Sequence, residues 1–287
     1  MKLFSVITVC RNTEDVIGDT IRSVLEQDCN DFEYIIKDGG SRDRTVEIAE
    51  SFRPVFEKRG ISFRILSFPD AGVYDAMNQA VAESCGQWLN FMNAGDRFAD
   101  STVLTQVKNS GLLERSDIVY GDEIVFDPPF YKYKRARALE KIRFEMTFRH
   151  QSVFTNRTLL EENPYSLSYN ICSDYRFYLL MFVKGKRFSY LPIPICIFVT
   201  GGISSDRLAL QTEQLRMYEE MLPRDEEAIE VQKKRLAWAK KQEAGWRRCF
   251  RKIVPMYLRQ IRAARIKKKA GWKTAEEFFR SQKKDMP

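Results

Sequence analysis

A chain of 287 residues, 44% hydrophobic and 13% aromatic, has the composition of a globular protein with room for a sizeable core. No apolar run reaches the eighteen or so residues that span a bilayer, the longest being Leu191 to Val199 with two prolines, and Met1 to Cys10 reads as a strand rather than a leader, so a cytosolic location is expected. Six cysteines without a CxxC pair and one histidine, His150, argue against zinc clusters, disulfide frameworks and two-histidine acid–base schemes, while a net charge of +8 calls for an anionic partner.

Leu3 to Cys10 is rich in Val, Ile and Phe and predicts a strand; Thr13 to Gln27, apolar at Val16, Ile17, Ile21, Val24 and Leu25, predicts an amphipathic helix. The alternation continues with strand Phe32 to Lys37, helix Asp43 to Lys58, strand Ser62 to Phe68, helix Val73 to Glu83 and strand Trp88 to Met92. Such β-α-β spacing implies an α/β fold with a mainly parallel sheet, in which ligands sit at the carboxyl ends of the strands. Those ends are Arg11-Asn12, Asp38-Gly39-Gly40-Ser41, Pro69-Asp70 and Asn93-Ala94-Gly95-Asp96, a polar and carboxylate-rich set. Beyond them come a helix at Thr102 to Leu113, one or two strands at Asp117 to Phe126, and the basic, aromatic Tyr131 to Arg135. Strand-like His150 to Thr155, a helix at Asp174 to Lys184 and strand-like Phe188 to Val199 follow. From Leu208 the pattern is helical, interrupted at Leu222-Pro223.

Asp38-Gly39-Gly40-Ser41 sets a carboxylate on a tight turn where a ligand can approach the backbone, or is simply a strand-to-helix turn. Asn93 and Asp96 are spaced to address one hard cation, Mg²⁺ or Mn²⁺, completed by substrate phosphates; alternatively Asp96 caps the helix that begins near Asp100. Ser173 and Asp174 precede an apolar-periodic stretch and either can cap it. His150 reads as a diphosphate, metal or acceptor contact, or as a neutral ring packed in a strand.

Taken with Phe68 to Asn78, these strand ends resemble the inverting family-2 glycosyltransferases, in a branch seen in bacterial capsule, colanic-acid and O-antigen clusters. The matching pieces are Phe4 to Val9, Tyr34 to Thr45, Pro69 to Asn78, Gly86 to Asp96, His150-Gln151-Ser152 and Ser173-Asp174-Tyr175, spread over about residues 1–205. The resemblance implies a GT-A fold, a nucleotide-sugar donor and a divalent cation. It assigns Cys10, Arg11, Asp38 and Asp70 to the donor, with Asp38 reading base or ribose, Asp96 to the metal with Asn93 assisting, and Asp174 as general base. It implies a catalytic domain over 1–206, with a nucleotide-binding half to about residue 100 and an acceptor half from 101. Thr200 to Ser205 reads as a closing lid or an ordinary loop. Relative to the wider family, Arg11 replaces an aromatic residue, the DxD run is reduced to Asn93 and Asp96, and Met77 stands where many relatives carry arginine.

Residues 207–287 form the expected helical, basic extension. From Gln232 to Pro287 there are 19 Lys or Arg against 4 Asp or Glu, a net +15, whereas the remainder has 28 against 35, a net −7. Trp246, Phe250, Ile253, Val254, Tyr257, Leu258 and Ile261 recur at helical spacing among arginines, and Lys267-Lys268-Lys269 continue the charge. That pattern predicts either a helix on an anionic membrane or one packed on the catalytic domain, and the resemblance and the tail together imply a lipid-linked or oligosaccharide acceptor. A nucleotidyltransferase would need a glycine-rich, lysine-bearing loop after the first strand, and Arg11-Asn12-Thr13-Glu14 is not one. A nucleic-acid-binding protein would leave four carboxylate-bearing strand ends unexplained, so no nucleic-acid partner is expected.

Overall fold

The computed structural model describes residues 2–202, 205–249, 267–268 and 270–282. The chain divides into two compact units, one of residues 1–124 and 134–198, the other of residues 125–133 and 199–287.

The first unit begins with β1 (Phe4–Cys10), α1 (Ile17–Leu25) and β2 (Phe32–Asp38). It continues with α2 (Thr45–Glu50), α3 (Arg53–Lys58), β3 (Ser62–Ser67), α4 (Val73–Ala82), β4 (Trp88–Phe91), β5 (Arg97–Phe98) and α5 (Val103–Asn109). Then follow β6 (Ile118–Asp127) and β7 (Phe130–Lys134), of which residues 125–133 belong to the second unit, and, back in the first, β8 (Val153–Asn156), α6 (Arg157–Glu162), α7 (Ser173–Val183) and β9 (Phe188–Val199). Every residue of β1 and β2 is buried, as expected of parallel strands covered on both faces. β1 lies between β2 and β4 and runs parallel to both, and β3 continues the parallel set; β8 is antiparallel to β4 and to β6, and β5 to β9.

The strand order β3-β2-β1-β4 reverses direction at β1, which opens a crevice outside the carboxyl ends of β1 and β4. The register pairs Cys10 with Asp38 and Asp38 with Ser67, so three strand ends come level. α1 buries Ile17, Ile21 and Val24 on one face, which explains its apolar spacing.

Two predicted elements differ in detail. The single helix over Asp43 to Lys58 is two, because Pro54 at the start of α3 has no amide hydrogen to give back to Glu50 and begins a new helix instead. The strand expected over His150 to Thr155 starts only at Val153, since His150–Ser152 is a 3₁₀ turn closed by the Ser152 amide and hydroxyl on the Arg149 carbonyl.

The second unit contains α8 (Arg207–Met221) and α9 (Glu226–Cys249), joined across Leu222-Pro223, and β10 (Lys273–Thr274) antiparallel to β7, followed by a helix over Ala275–Gln282. Asp206 caps α8 by accepting the Ala209 amide, and Asp225 accepts the Ala228 amide at the start of α9. The basic, aromatic Tyr131 to Arg135 stretch lies largely on β7, where Tyr131 stacks on Phe126 and Phe278. Lys267 pairs with Asp127 at 2.6 Å and lies over the Phe130 and Trp272 rings. The rest of the amphipathic basic stretch, residues 250–266 and Lys269, lies outside the described residues, as do Ile203 and Ser204 of the expected lid. Among the described residues no helix is long and apolar enough to cross a membrane.

Candidate active site

Asp38 closes β2 and is fully buried, and its carboxylate is the hub of the first strand-end turn. It accepts the Gly40 amide (3.1 Å), the Ser41 amide (3.0 Å), the Ser41 hydroxyl and the Ser67 hydroxyl (2.8 Å), and the Cys10 thiol approaches it at 3.8 Å. Burial works against its charge, but the bonds from Ser41, Ser67 and Gly40 prevail and hold the carboxyl below the ordinary carboxylate range. Burial, reinforced by the Asp38 charge, pushes the Cys10 thiol up to about 12, so it stays protonated. Both groups therefore build the turn with the atoms the sequence assigned to the donor.

The neighbouring turn is stitched to the first. The Asn12 amide donates to Ser41 Oγ at 2.7 Å, and Asn12 Oδ1 accepts the Arg42 amide at 2.8 Å, which leaves the exposed Arg11 at the lip of both turns. Asn12 takes a positive φ of 52°, a conformation asparagine tolerates better than most residues.

Asp70 reaches the same corner from the loop after β3. Its Oδ2 is 3.1 Å from Lys37 Nζ, in a pair whose side chains are 0% and 7% exposed, and its Oδ1 accepts the Gly72 amide at 3.1 Å. Lys37 also donates to the Asp38 carbonyl (2.9 Å) and the Phe68 carbonyl (2.6 Å), so its three protons find three acceptors. The glycine at 39 is part of this arrangement: a β-carbon there would meet Asp70 Oδ2 at 2.6 Å. Lys37 was not singled out by sequence reading, because a lysine in a buried strand is visible as such only once the strand is known to be central.

The Asn93–Asp96 segment follows β4 as a turn closed by the Asp96 amide on the Asn93 carbonyl (3.0 Å), with Gly95 at φ 100°. Thr20 of α1 holds it, accepting the Gly95 amide at 2.9 Å and donating to the Asp96 carbonyl at 2.8 Å. Asp96 does not cap the next helix, since the Thr102 amide goes to Asp100; its Oδ2 instead accepts Gln151 Nε2 at 2.7 Å. Asn93 Oδ1 is buried without a hydrogen-bond partner. A buried carboxylate and an orphaned amide oxygen on one turn are hard donors too few for a cage, and they fit a Mg²⁺ or Mn²⁺ that keeps water and substrate phosphates in its shell. Among the described residues no cluster of three or more His, Cys, Asp or Glu side chains forms a metal site.

Asp174 lies in the first turn of α7, where neither it nor Ser173 is the cap: Cys172 holds that position without a side-chain bond, and the Ser173 hydroxyl donates to the Ser166 carbonyl. Asp174 Oδ1 accepts the Tyr74 hydroxyl of α4 at 2.9 Å. His150 packs beneath, its ring stacked on Phe91 at 5.0 Å and its Nε2 3.0 Å from the Tyr165 hydroxyl. Burial holds the imidazole below its ordinary value, with the Asp174 charge opposing. His150 is thus a neutral ring in an aromatic box that also includes Tyr165 and Tyr178, rather than a group presented to solvent. Asn78 clamps that box to α4 by exchanging two bonds with the Tyr165 backbone (2.8 and 2.9 Å).

The sequence profile of glycosyl transferase family 2 matches residues 5–198. A PGL/p-HBAD biosynthesis glycosyltransferase of Mycobacterium tuberculosis is 36% identical over 182 residues, which cover 63% of this chain and 70% of the relative. An uncharacterized glycosyltransferase of the same species is 28% identical over 217 residues, covering 71% and 77%. Among solved structures, the mannosyltransferase PcManGT of Pyrobaculum calidifontis in complex with GDP-Man and Mn²⁺ superposes with a TM-score of 0.63 at 13% identity, over 92% of this chain and 80% of that one. Residues 1–349 of Staphylococcus aureus TarS in complex with UDP give 0.59 at 18% identity, over 90% and 76%.

Proposed function

The chain belongs to glycosyl transferase family 2, with the GT-A fold, and is a glycosyltransferase; from that premise we propose that it moves a sugar, with inversion, from a nucleotide-diphosphate sugar to an acceptor hydroxyl. The observation that carries the reading is the Asp174 carboxylate, kept off the backbone of its own helix and held by a hydroxyl from α4, the helix that follows the Asp70 loop. Asp174 accepts the proton of the acceptor hydroxyl as that oxygen bonds to the anomeric carbon, and the bond from this carbon to the diphosphate breaks on the opposite face. Arg11, Asp70 and the turn built on Asp38 and Cys10 receive the nucleotide. Asp96 and Asn93 hold a divalent cation, which neutralises the diphosphate charge when bound.

Supporting the donor class, relatives of the same fold are solved with UDP and with GDP-Man and Mn²⁺. The excess of positive charge after Gln232 supports an anionic surface as partner, at the cytoplasmic leaflet, with a lipid-linked glycan of surface polysaccharide synthesis as acceptor.

The test is nucleotide release and product formation from UDP-, GDP- and dTDP-linked sugars with a panel of p-nitrophenyl glycosides, with and without Mn²⁺. Asp174→Asn is expected to lower transfer by about 10²- to 10⁴-fold with donor binding retained. Asp96→Ala is expected to lose the Mn²⁺-dependent part of donor binding. Full transfer by Asp174→Asn, or tight donor binding by wild type in EDTA, overturns the respective assignment.

A further inference from the structure

Tyr74 is 7% exposed, and its hydroxyl stands between two acceptors, Asp174 Oδ1 at 2.9 Å and the Ile171 carbonyl at 2.7 Å. Its ring leans on Tyr165 at 5.5 Å, so the hydroxyl is aimed by packing rather than by solvent. Burial, then the Asp174 charge, lifts the phenol well above its ordinary value, so it keeps its proton at any working pH.

We propose that Tyr74 is a positioning residue for glycosyl transfer, its hydroxyl fixing the Asp174 carboxylate as base and turning its hydrogen bond to the Ile171 carbonyl as the carboxylate takes up the acceptor's proton. The proposal rests on the reading of Asp174 as base. One hydroxyl proton serves one acceptor fully at a time, and a carboxylate outcompetes a neutral carbonyl while it is charged. Once Asp174 is protonated that advantage is gone, and the Ile171 carbonyl accepts the phenol's hydrogen bond in full, with no buried donor left unpaired. A carboxylate pinned by one oxygen keeps its other oxygen for the acceptor, and its rotation is frozen before the reaction, which is where a positioned base gains its rate. Tyr74 also lies four residues after Asp70 and two after Gly72, whose φ of 125° turns the loop into α4. The loop that carries Asp70 and the hydroxyl that aims the base thus share one stretch of backbone.

The experiment compares wild type, Tyr74→Phe, Asp174→Asn and the double variant in the full chain, using the sugar nucleotide and p-nitrophenyl glycoside that give the highest wild-type rate. Tyr74→Phe keeps the ring against Tyr165 and removes only the hydroxyl. Expected are a kcat lower by about ten-fold or more, a donor Kd by calorimetry within about two-fold of wild type, and no further loss when Tyr74→Phe is added to Asp174→Asn. A Tyr74→Phe enzyme with wild-type kcat overturns the proposal while Asp174→Asn remains inactive. Equal losses from Tyr74→Phe in both backgrounds overturn it too, since a packing role does not depend on the carboxylate. Full activity of Asp174→Asn instead removes the premise, and with it the proposal. An unfolded Tyr74→Phe, read by circular dichroism, makes the hydroxyl architectural and also overturns it.

Discussion

Replacing Asp38 by Asn separates a turn-building carboxylate from one reserved for the nucleotide. The four bonds it accepts come from two amides and two hydroxyls. The hydroxyls of Ser41 and Ser67 can rotate to suit an amide, but the Gly40 and Ser41 amides both point at Oδ2 and cannot. Asn offers them either an oxygen without charge or an amino group that repels them. Bonds to a charged acceptor are worth about 1.5–3 kcal/mol and neutral ones about 0.5–1.5, so weakening two fixed bonds and re-forming two others costs on the order of 2–4 kcal/mol. At roughly 2–4 °C per kcal/mol for a chain of this size, the melting temperature falls by about 5–15 °C. The loss also has a pH signature. The folded carboxyl lies below its unfolded value of about 3.9, so its contribution is complete above that pH and disappears as the pH drops through the lower folded value. Urea titrations at pH 7 and pH 3, followed by circular dichroism, should show a wide gap between wild type and Asp38→Asn at pH 7 that narrows in acid. A gap under about 0.5 kcal/mol at pH 7, accompanied by a large loss of donor affinity, refutes the turn-building role.

Lys37→Met should cost about 3–5 kcal/mol because it strands the Asp70 carboxylate, and Lys37→Met with Asp70→Asn should recover much of that loss in the same urea assay; a double variant as unstable as the single one counts against the pair. His150 is the only histidine, so its ring signals are unambiguous by NMR, and they should titrate below 6.5. By the same sign, the neutral imidazole supports folding fully above about pH 6.5 and loses that support as the pH falls toward the folded value; a titration above 6.5 would mean that the ring is not shielded as its packing implies. For the basic extension, charge removal is a cleaner probe than truncation, because Lys267 and β10 belong to the packing of the second unit. Changing Arg247, Arg248, Arg251 and Lys252 to Gln should weaken sedimentation with anionic vesicles by about 1 kcal/mol per charge, leave turnover of a soluble acceptor unchanged, and be mimicked by salt; unchanged sedimentation discards the membrane role.

The strands that set the crevice were legible because their burial is largely written locally: short runs dominated by Val, Ile, Phe and Tyr between polar turns read as strands covered on both faces, even with Ser5, Thr8, Glu33 and Lys37 among them. The same locality exposed Asp38, Asp70, Asp96 and Asp174 as carboxylates at strand ends or a helix start. What holds Asp70, Asp96 and Asp174 in place was not legible, because those partners come from elsewhere in the chain. Tyr74 meets Asp174 across 100 residues, Gln151 meets Asp96 across 55, and Lys37 meets Asp70 across 33. No periodicity links such positions; only the strand order does. Asp38 and Asp96 look alike in sequence, each beside a glycine near the carboxyl end of a strand, although Asp38 is the last residue of β2 and Asp96 lies in the turn between β4 and β5. Asp38 is surrounded by donors from its own turn and from the next strand, and so its charge is consumed by the fold. Beside Asp96, the amide oxygen of Asn93 is left buried without a donor, an arrangement that costs stability unless something positive fills it. That orphaned acceptor next to a carboxylate sets the Asn93–Asp96 turn apart from the Asp38 turn, and it is the feature on which the proposed cation site rests.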